Sequence, residues 1–181
     1  MSIDRAQLPQ FAYHPDPLST GCAVVSDEEC VCCGASRGVV YRGPVFCEEE
    51  LDGELCLWCI ADGRAAEWFD AVFTDAFGPD GTPAEVIDTI TRRTPGFSGW
   101  QQEEWMFHCG DGAAFLGAAG ARELRDNPQA LDHLRTTLTE QGWPTTQIEP
   151  YLAALTRDGQ PTAYLFQCRT CHTHLAYSDS A

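Results

Sequence analysis

Six of the ten cysteines in this 181-residue chain form Cys-x2-Cys pairs, a spacing that implies bound metal or thiol chemistry. The pairs are Cys30/Cys33, Cys56/Cys59 and Cys168/Cys171. In a secreted chain so many cysteines would indicate disulfides, whereas in a reducing compartment they are more typical of metal sites or redox centres. Residues 1–9 contain neither a basic segment nor an apolar core, so they predict no signal peptide and a cytoplasmic location.

The first two pairs together supply four thiolates. They are separated by 22 residues, and Gly34 after the first pair permits the tight turn of a metal knuckle. Four thiolates suit the tetrahedral, soft-ligand preference of Zn²⁺, and the strand-like residues between the pairs are typical of a zinc ribbon. Cys32 competes with Cys33 for one ligand position. Buried free thiols or a redox pair are the alternative. The predicted zinc ligands are Cys30, Cys33, Cys56 and Cys59.

The third pair, Cys168 and Cys171, predicts a second zinc site whose other ligands come from elsewhere in the chain. Cys109 is the best remaining thiol. The fourth ligand is expected to be His108, His174 or His172, in that order, although the adjacent residues His108 and Cys109 ligate together only with awkward geometry. One Zn²⁺ is expected, and this site allows for a second. A redox-active or purely structural Cys168/Cys171 pair is the alternative.

Two other cysteines, Cys22 and Cys47, have no partner at metal-binding spacing and are expected to be small core residues. A site closed by four protein ligands leaves no open position for substrate. The sequence also lacks the motifs of P-loop enzymes, zinc proteases and serine hydrolases. Whether the protein is an enzyme therefore stays open.

Hydrophobic periodicity predicts an α+β fold, with zinc-ribbon-like strand pairs near both ends and a helical middle. Helices are expected over 63–77, from Pro83 to about Arg93, and over 127–141, and strands over 162–167 and 173–177. We expect one domain over residues 1–181. It comprises a zinc-knuckle region at about 22–62, a helical region at about 63–158 and a C-terminal hairpin knuckle at about 160–178.

The charge of the chain argues against several classes of partner. Its 27 acidic residues outnumber 11 basic residues, all of them Arg, which gives a formal net charge of −16. Such a field repels nucleic acid and anionic membranes. No apolar run approaches the ~20 residues of a membrane span. We therefore expect no nucleic-acid or membrane partner, whereas the charge permits a basic partner protein.

The order of these motifs resembles the CbrC-like family, which takes its name from a colicin E2 tolerance protein. The matching segments include Tyr13–Pro17, Cys30–Gly34, Leu55–Gly63, Arg93–Phe97, His108–Cys109 and Cys168–Cys171. The chain departs from the pattern at His172, where a glycine-like residue is expected. The resemblance implies an uncharacterised bacterial cytoplasmic protein connected with colicin tolerance.

These observations predict a zinc-binding cytoplasmic protein that presents an interaction surface to an unknown protein partner. The alternative is a thiol-dependent redox sensor or enzyme that uses Cys168 and Cys171, or Cys32. Counting free thiols before and after addition of a zinc chelator distinguishes the two, because zinc-bound thiolates become free on chelation whereas a disulfide yields thiols only on reduction.

Overall fold

The computed structural model describes residues 4–48 and 50–180, and the chain divides into two compact units, Met1–Ser98 and Gly99–Ala181. Residues 1–3 belong to the N-terminal segment from which a cytoplasmic location is predicted, and they lie outside the described residues. The described part confirms the α+β class, with small antiparallel sheets and six α-helices. None of these helices has the length and apolar character needed to cross a bilayer. The single domain over 1–181 stays a prediction.

The first unit contains a three-stranded antiparallel sheet in the order β1-β2-β3. Its elements are a 3-10 turn (Arg5–Gln7), β1 (Ala23–Val25), β2 (Val39–Tyr41), β3 (Leu55–Cys56), α1 (Leu57–Ala61), α2 (Arg64–Phe69) and α3 (Ala84–Arg93). The β-branched and aromatic residues of β2 are all buried, as a central strand requires. Helix α1 begins directly after β3, so Cys56 ends the strand and caps the helix.

The predicted helix over 63–77 is wrong in its second half. Helix α2 ends at Phe69 because Asp70 adopts a left-handed conformation with φ of 48°. Beyond it, Val72 exchanges two backbone hydrogen bonds with Phe46, at 2.8 and 2.9 Å, which holds this segment extended. Phe73 is nevertheless fully buried, with its ring edge-on to Tyr41. Phe73 and Ala76 are therefore buried as predicted, but they do not lie on a helix.

The second unit contains a two-stranded β-hairpin and a separate three-stranded antiparallel sheet in the order β6-β7-β8. Its elements are β4 (Phe107–His108), β5 (Asp111–Gly112), β6 (Ala114–Ala119), α4 (Ala121–Arg125), α5 (Pro128–Glu140), α6 (Thr145–Ala154), β7 (Thr162–Gln167) and β8 (His174–Asp179). Helix α5 packs against β8 and buries Leu134 and Leu138 with Ile148 and Leu152 of α6. The helix predicted over 127–141 and the C-terminal strand pair are confirmed.

Candidate metal centres

Four cysteines of the first unit bring their sulfur atoms together. The Sγ atoms of Cys30, Cys33, Cys56 and Cys59 all lie within 4.8 Å of one another, and we call these residues the four-cysteine group. Cys30 Sγ lies 3.8 Å from Cys59 Sγ, and Cys33 Sγ lies 3.9 Å from Cys56 Sγ. Tetrahedral coordination with metal–sulfur bonds of about 2.3 Å places sulfurs about 3.8 Å apart. The group therefore has the spacing of a tetrahedral metal centre.

Two kinds of local structure position these sulfurs. The Cys30–Gly34 turn is closed by the Gly34 N–H, which donates to the Cys30 carbonyl at 2.7 Å, and Gly34 has φ of 67°. Cys56 and Cys59 instead occupy the start of helix α1. The Cys56 N–H donates to Cys30 Sγ at 3.2 Å, which joins the two halves of the group.

The electrostatics of the four-cysteine group favour a bound cation. Burial and the nearby charge of Cys30 raise the pKa of Cys56 to about 11. Burial also acts at Cys33, but hydrogen bonds from the Ala35 backbone and neighbouring thiols outweigh it and lower its pKa to about 7. Closely spaced thiolates oppose one another's ionisation, and a divalent cation removes that repulsion.

The structure brings Cys33, rather than Cys32, into the four-cysteine group. Cys32 is buried beside it, and its Sγ is not one of the four clustered atoms. Cys22 is buried and Cys47 is partly exposed, and both lie outside the two clusters found among the described residues.

A second cluster lies within the second unit. Nδ1 or Nε2 of His108 and the Sγ atoms of Cys109, Cys168 and Cys171 lie within 4.8 Å of one another, and we call these residues the histidine–cysteine group. Cys109 Sγ lies 3.7 Å from Cys171 Sγ, and His108 Nδ1 lies 3.3 Å from each of these sulfurs. A tetrahedral centre with one imidazole nitrogen needs nitrogen–sulfur separations of about 3.5 Å.

A two-residue turn explains how adjacent residues both join the histidine–cysteine group. His108 ends β4, whereas Cys109 and Gly110 form the turn before β5 with φ of 53° and 74°. Two successive left-handed residues are the geometry of a tight hairpin turn that matches the strand twist. The awkward geometry expected for this pair is thus avoided.

The other half of the histidine–cysteine group is a knuckle between β7 and β8. The Thr170 and Cys171 N–H groups each donate to Cys168 Sγ at 3.4 Å, and the His172 N–H donates to the Cys168 carbonyl at 3.0 Å. His172 has φ of 60° and so takes the position that Gly34 holds in the first knuckle.

The side chains of His172 and His174 lie outside the histidine–cysteine group. The backbone N–H of His174 starts β8 and donates to Gln129 Oε1 at 3.2 Å. Of the three histidines considered from the sequence, only His108 is brought into the cluster.

Sequence reasoning missed an ion pair that joins the two halves of the histidine–cysteine group. Arg169, inside the Cys-x2-Cys turn, donates from its guanidinium to the Asp111 carboxylate at 2.6 Å. The only signal in the sequence is an Arg between Cys168 and Cys171 and an Asp two residues after Cys109, a pattern too common to identify a pair.

Each cluster offers four ligand atoms and could hold a metal ion. Four protein ligands fill a tetrahedral coordination sphere and leave no position for water or substrate. The arrangement therefore fits metal that holds segments of the chain together, rather than metal that activates a substrate.

Comparison with known proteins places the chain in a family. It is 53% identical over 177 residues to the UPF0167 proteins Mb2317 of Mycobacterium bovis and MT2352 of Mycobacterium tuberculosis, covering 97% of this chain and 95% of each relative. It is 39% identical over 167 residues to the UPF0167 protein PA1536 of Pseudomonas aeruginosa, covering 91% of this chain and 92% of that protein. No solved structure matches. The family model described as uncharacterised protein family UPF0167 matches residues 8–180, and the chain belongs to that family.

Proposed function

We propose that the protein binds two zinc ions, one at the four-cysteine group and one at the histidine–cysteine group. The observation that carries the proposal is the spacing of the clustered sulfurs, 3.7–3.9 Å in three pairs. That spacing suits a tetrahedral ion and is far from the ~2.05 Å of a disulfide. Zinc is the metal that best matches tetrahedral thiolate and imidazole ligands without redox chemistry of its own.

The bound metal has a structural role in this proposal. Each group joins segments that are distant in sequence, Cys30 with Cys59 and Cys109 with Cys171. The histidine–cysteine group also ties the two-stranded hairpin β4-β5, which is marginally stable by itself, to the turn between β7 and β8. In small metal-binding domains the free energy of zinc binding contributes directly to folding.

We further propose that the zinc-stabilised fold presents a surface to a protein partner in the cytoplasm. The net charge of −16 favours a basic partner. Trp68 and Phe77 are 59% and 82% exposed, and aromatic side chains are enriched in interfaces. A role in stress or colicin tolerance, implied by the narrower CbrC-like resemblance, belongs to this part of the proposal.

Elemental analysis of protein purified without chelators tests the zinc proposal. We expect two zinc ions per chain, with one lost from Cys59→Ser and one lost from Cys168→Ser. Cys22→Ser and Cys47→Ser are the matched controls, because they remove thiols outside both groups and should retain both ions. Fewer than two zinc ions per chain in the unsubstituted protein would contradict the proposal. A pull-down from the cytoplasm separately tests the partner.

A further inference from the structure

The two metal groups differ in how far solvent reaches their sulfurs. Three residues of the four-cysteine group are at most 1% exposed, namely Cys30, Cys56 and Cys59. The fourth, Cys33, is partly exposed. In the histidine–cysteine group only Cys168 is buried among the cysteines, whereas Cys109 and Cys171 are exposed. In the histidine–cysteine group a small oxidant in solution therefore reaches two neighbouring thiolates, Cys109 and Cys171, directly. In the four-cysteine group it reaches two neighbouring thiolates only after the surrounding structure opens locally.

The sulfurs of the histidine–cysteine group also differ in their hydrogen bonds. Cys168 Sγ accepts two backbone N–H groups, and Cys171 Sγ lies 3.2 Å from the Thr173 hydroxyl. Among the described residues, no backbone N–H donates to Cys109 Sγ; its contacts are with the other members of the group, His108 Nδ1, Cys171 Sγ and the Cys168 thiol. With metal bound, all three sulfurs are thiolates, and Cys109 Sγ is the one from which no backbone N–H of the described residues withdraws electron density, so an oxidant is expected to react there first.

We propose that the histidine–cysteine group is an oxidation site, at which a peroxide joins Cys109 to Cys171 and thereby releases the metal. The inference rests on the proposed zinc occupancy of this group. Cys109 and Cys171 are its two exposed thiols, and their sulfurs are 3.7 Å apart. The pair differs from Cys168/Cys171, which the sequence alone suggested, because Cys168 is buried and accepts two N–H groups.

The chemistry requires one peroxide for each disulfide. The Cys109 thiolate attacks one peroxide oxygen, the O–O bond breaks, and hydroxide leaves as Cys109 becomes a sulfenic acid. The Cys171 thiolate then attacks the Cys109 sulfur, the S–O bond breaks, and a second hydroxide leaves. Two thiolates lose two electrons in total and the peroxide gains them. Both thiolates give up their bonds to the metal as the disulfide forms. His108 and Cys168 then remain as protein ligands, two fewer than a structural zinc site uses, so the ion would dissociate into solvent.

The test treats the zinc-loaded full chain with an equimolar amount of hydrogen peroxide. A chromogenic chelator measures released zinc, and alkylation followed by peptide mass spectrometry locates the disulfide. We expect the protein to lose one of its two zinc ions and to contain a disulfide between Cys109 and Cys171. Adding a reductant and zinc should restore a content of two zinc ions per chain. The Cys22→Ser/Cys47→Ser double variant should respond identically, which excludes these two thiols as the source of the response; the peptide map reports on Cys32, the third thiol outside both groups.

Three results would overturn the inference: retention of both ions after peroxide, earlier release from the four-cysteine group, or a disulfide that joins Cys168 to Cys171. The disulfide is mapped in the unsubstituted chain, so the answer does not depend on whether Cys109→Ser folds. The zinc content measured before peroxide separates the two proposals. Fewer than two ions at that point contradicts the proposed function, whereas two ions that resist peroxide contradict only the oxidation site.

Discussion

Two of the three Cys-x2-Cys pairs form turns, Cys30/Cys33 and Cys168/Cys171, and in both the residue after the second cysteine has a left-handed backbone conformation. Gly34 adopts φ of 67° and His172 adopts φ of 60°. A left-handed conformation costs a residue with a Cβ atom about 1–2 kcal/mol, whereas glycine adopts it freely. His172 therefore holds a position where its backbone, rather than its imidazole, shapes the metal site.

Replacing His172 with glycine should stabilise the protein by about 1 kcal/mol without loss of metal, because the imidazole lies outside the histidine–cysteine group. Denaturant unfolding and elemental analysis measure the two effects. His174→Gly is the matched control: it places glycine within strand β8 and should destabilise by about 0.5–1 kcal/mol. Loss of zinc from His172→Gly would instead identify His172 as a ligand.

Single substitutions also test whether Cys33 or Cys32 is the metal ligand in the first knuckle. Cys33→Ser should lose one zinc ion and yield poorly soluble protein, because structural zinc contributes on the order of 10 kcal/mol to folding against a total stability of ~5–15 kcal/mol. Cys32→Ser should keep the zinc and cost about 1 kcal/mol. Zinc analysis of both variants is the measurement. The opposite pattern would shift the first knuckle by one residue.

At the scale of elements, a buried histidine ties the N-terminal segment to the chain after helix α3. His14 is fully buried, its Nδ1–H donates to the Pro95 carbonyl at 2.7 Å, and its Nε2 lies 2.7 Å from the Thr20 hydroxyl. Burial lowers the pKa of His14 from 6.5 to about 4, against the raising effect of the Pro95 bond and the Asp16 charge. The folded protein therefore holds a neutral imidazole.

This pKa shift predicts that stability falls as pH decreases from about 6.5 to about 4. In that range the unfolded state binds a proton at His14 and the folded state does not, so acid favours unfolding, by about 3 kcal/mol in total. Above pH 6.5 both states are neutral and the stabilisation is complete. The difference in unfolding free energy between the wild type and His14→Gln should shrink across this range. A difference independent of pH would contradict the assignment.

Elements that depend on local pattern were predictable, and those that depend on distant contacts were not. Leucines at helical spacing with Pro128 at the first position indicate α5, which is observed at Pro128–Glu140. The end of α2 depends on the pairing of Val72 with Phe46, 26 residues apart, and nothing near Val72 signals it. Similarly, the Cys-x2-Cys spacing indicated the four-cysteine group, and His108 stood first among the candidate histidines. How the adjacent residues His108 and Cys109 both reach one cluster depends on the left-handed turn at Cys109, which the sequence did not indicate.

At the scale of the whole molecule, each compact unit contains one complete ligand group. The four-cysteine group lies within Met1–Ser98 and the histidine–cysteine group within Gly99–Ala181. If both groups hold metal, each ion contributes to the stability of its own unit. Loss of one ion then does not require loss of the other. The exposure of Cys109 and Cys171 is the reason to expect peroxide to attack the histidine–cysteine group first, and this independence is the reason to expect the four-cysteine group to keep its metal.

The charge of the whole molecule predicts negligible binding to duplex DNA at physiological salt. With 11 Arg, no Lys and 27 acidic residues, the chain has few groups that could displace the counterions of phosphate. A gel shift with random duplex at ~150 mM salt should show no binding below ~10⁻⁶ M. Sub-micromolar affinity for random duplex DNA would contradict the prediction. It would require a basic surface, which a chain with so few basic residues is not expected to have.

X-ray absorption at the zinc edge of the intact protein loaded with two zinc ions shows directly whether both groups hold zinc. We expect a shell dominated by sulfur at about 2.3 Å with a minor nitrogen contribution at about 2.0–2.1 Å. These signals correspond to four thiolates at one site and three thiolates with the His108 imidazole at the other. Cys59→Ser should raise the nitrogen share, because it leaves only the histidine–cysteine group occupied. A shell dominated by oxygen or nitrogen in the two-zinc protein would contradict the claim.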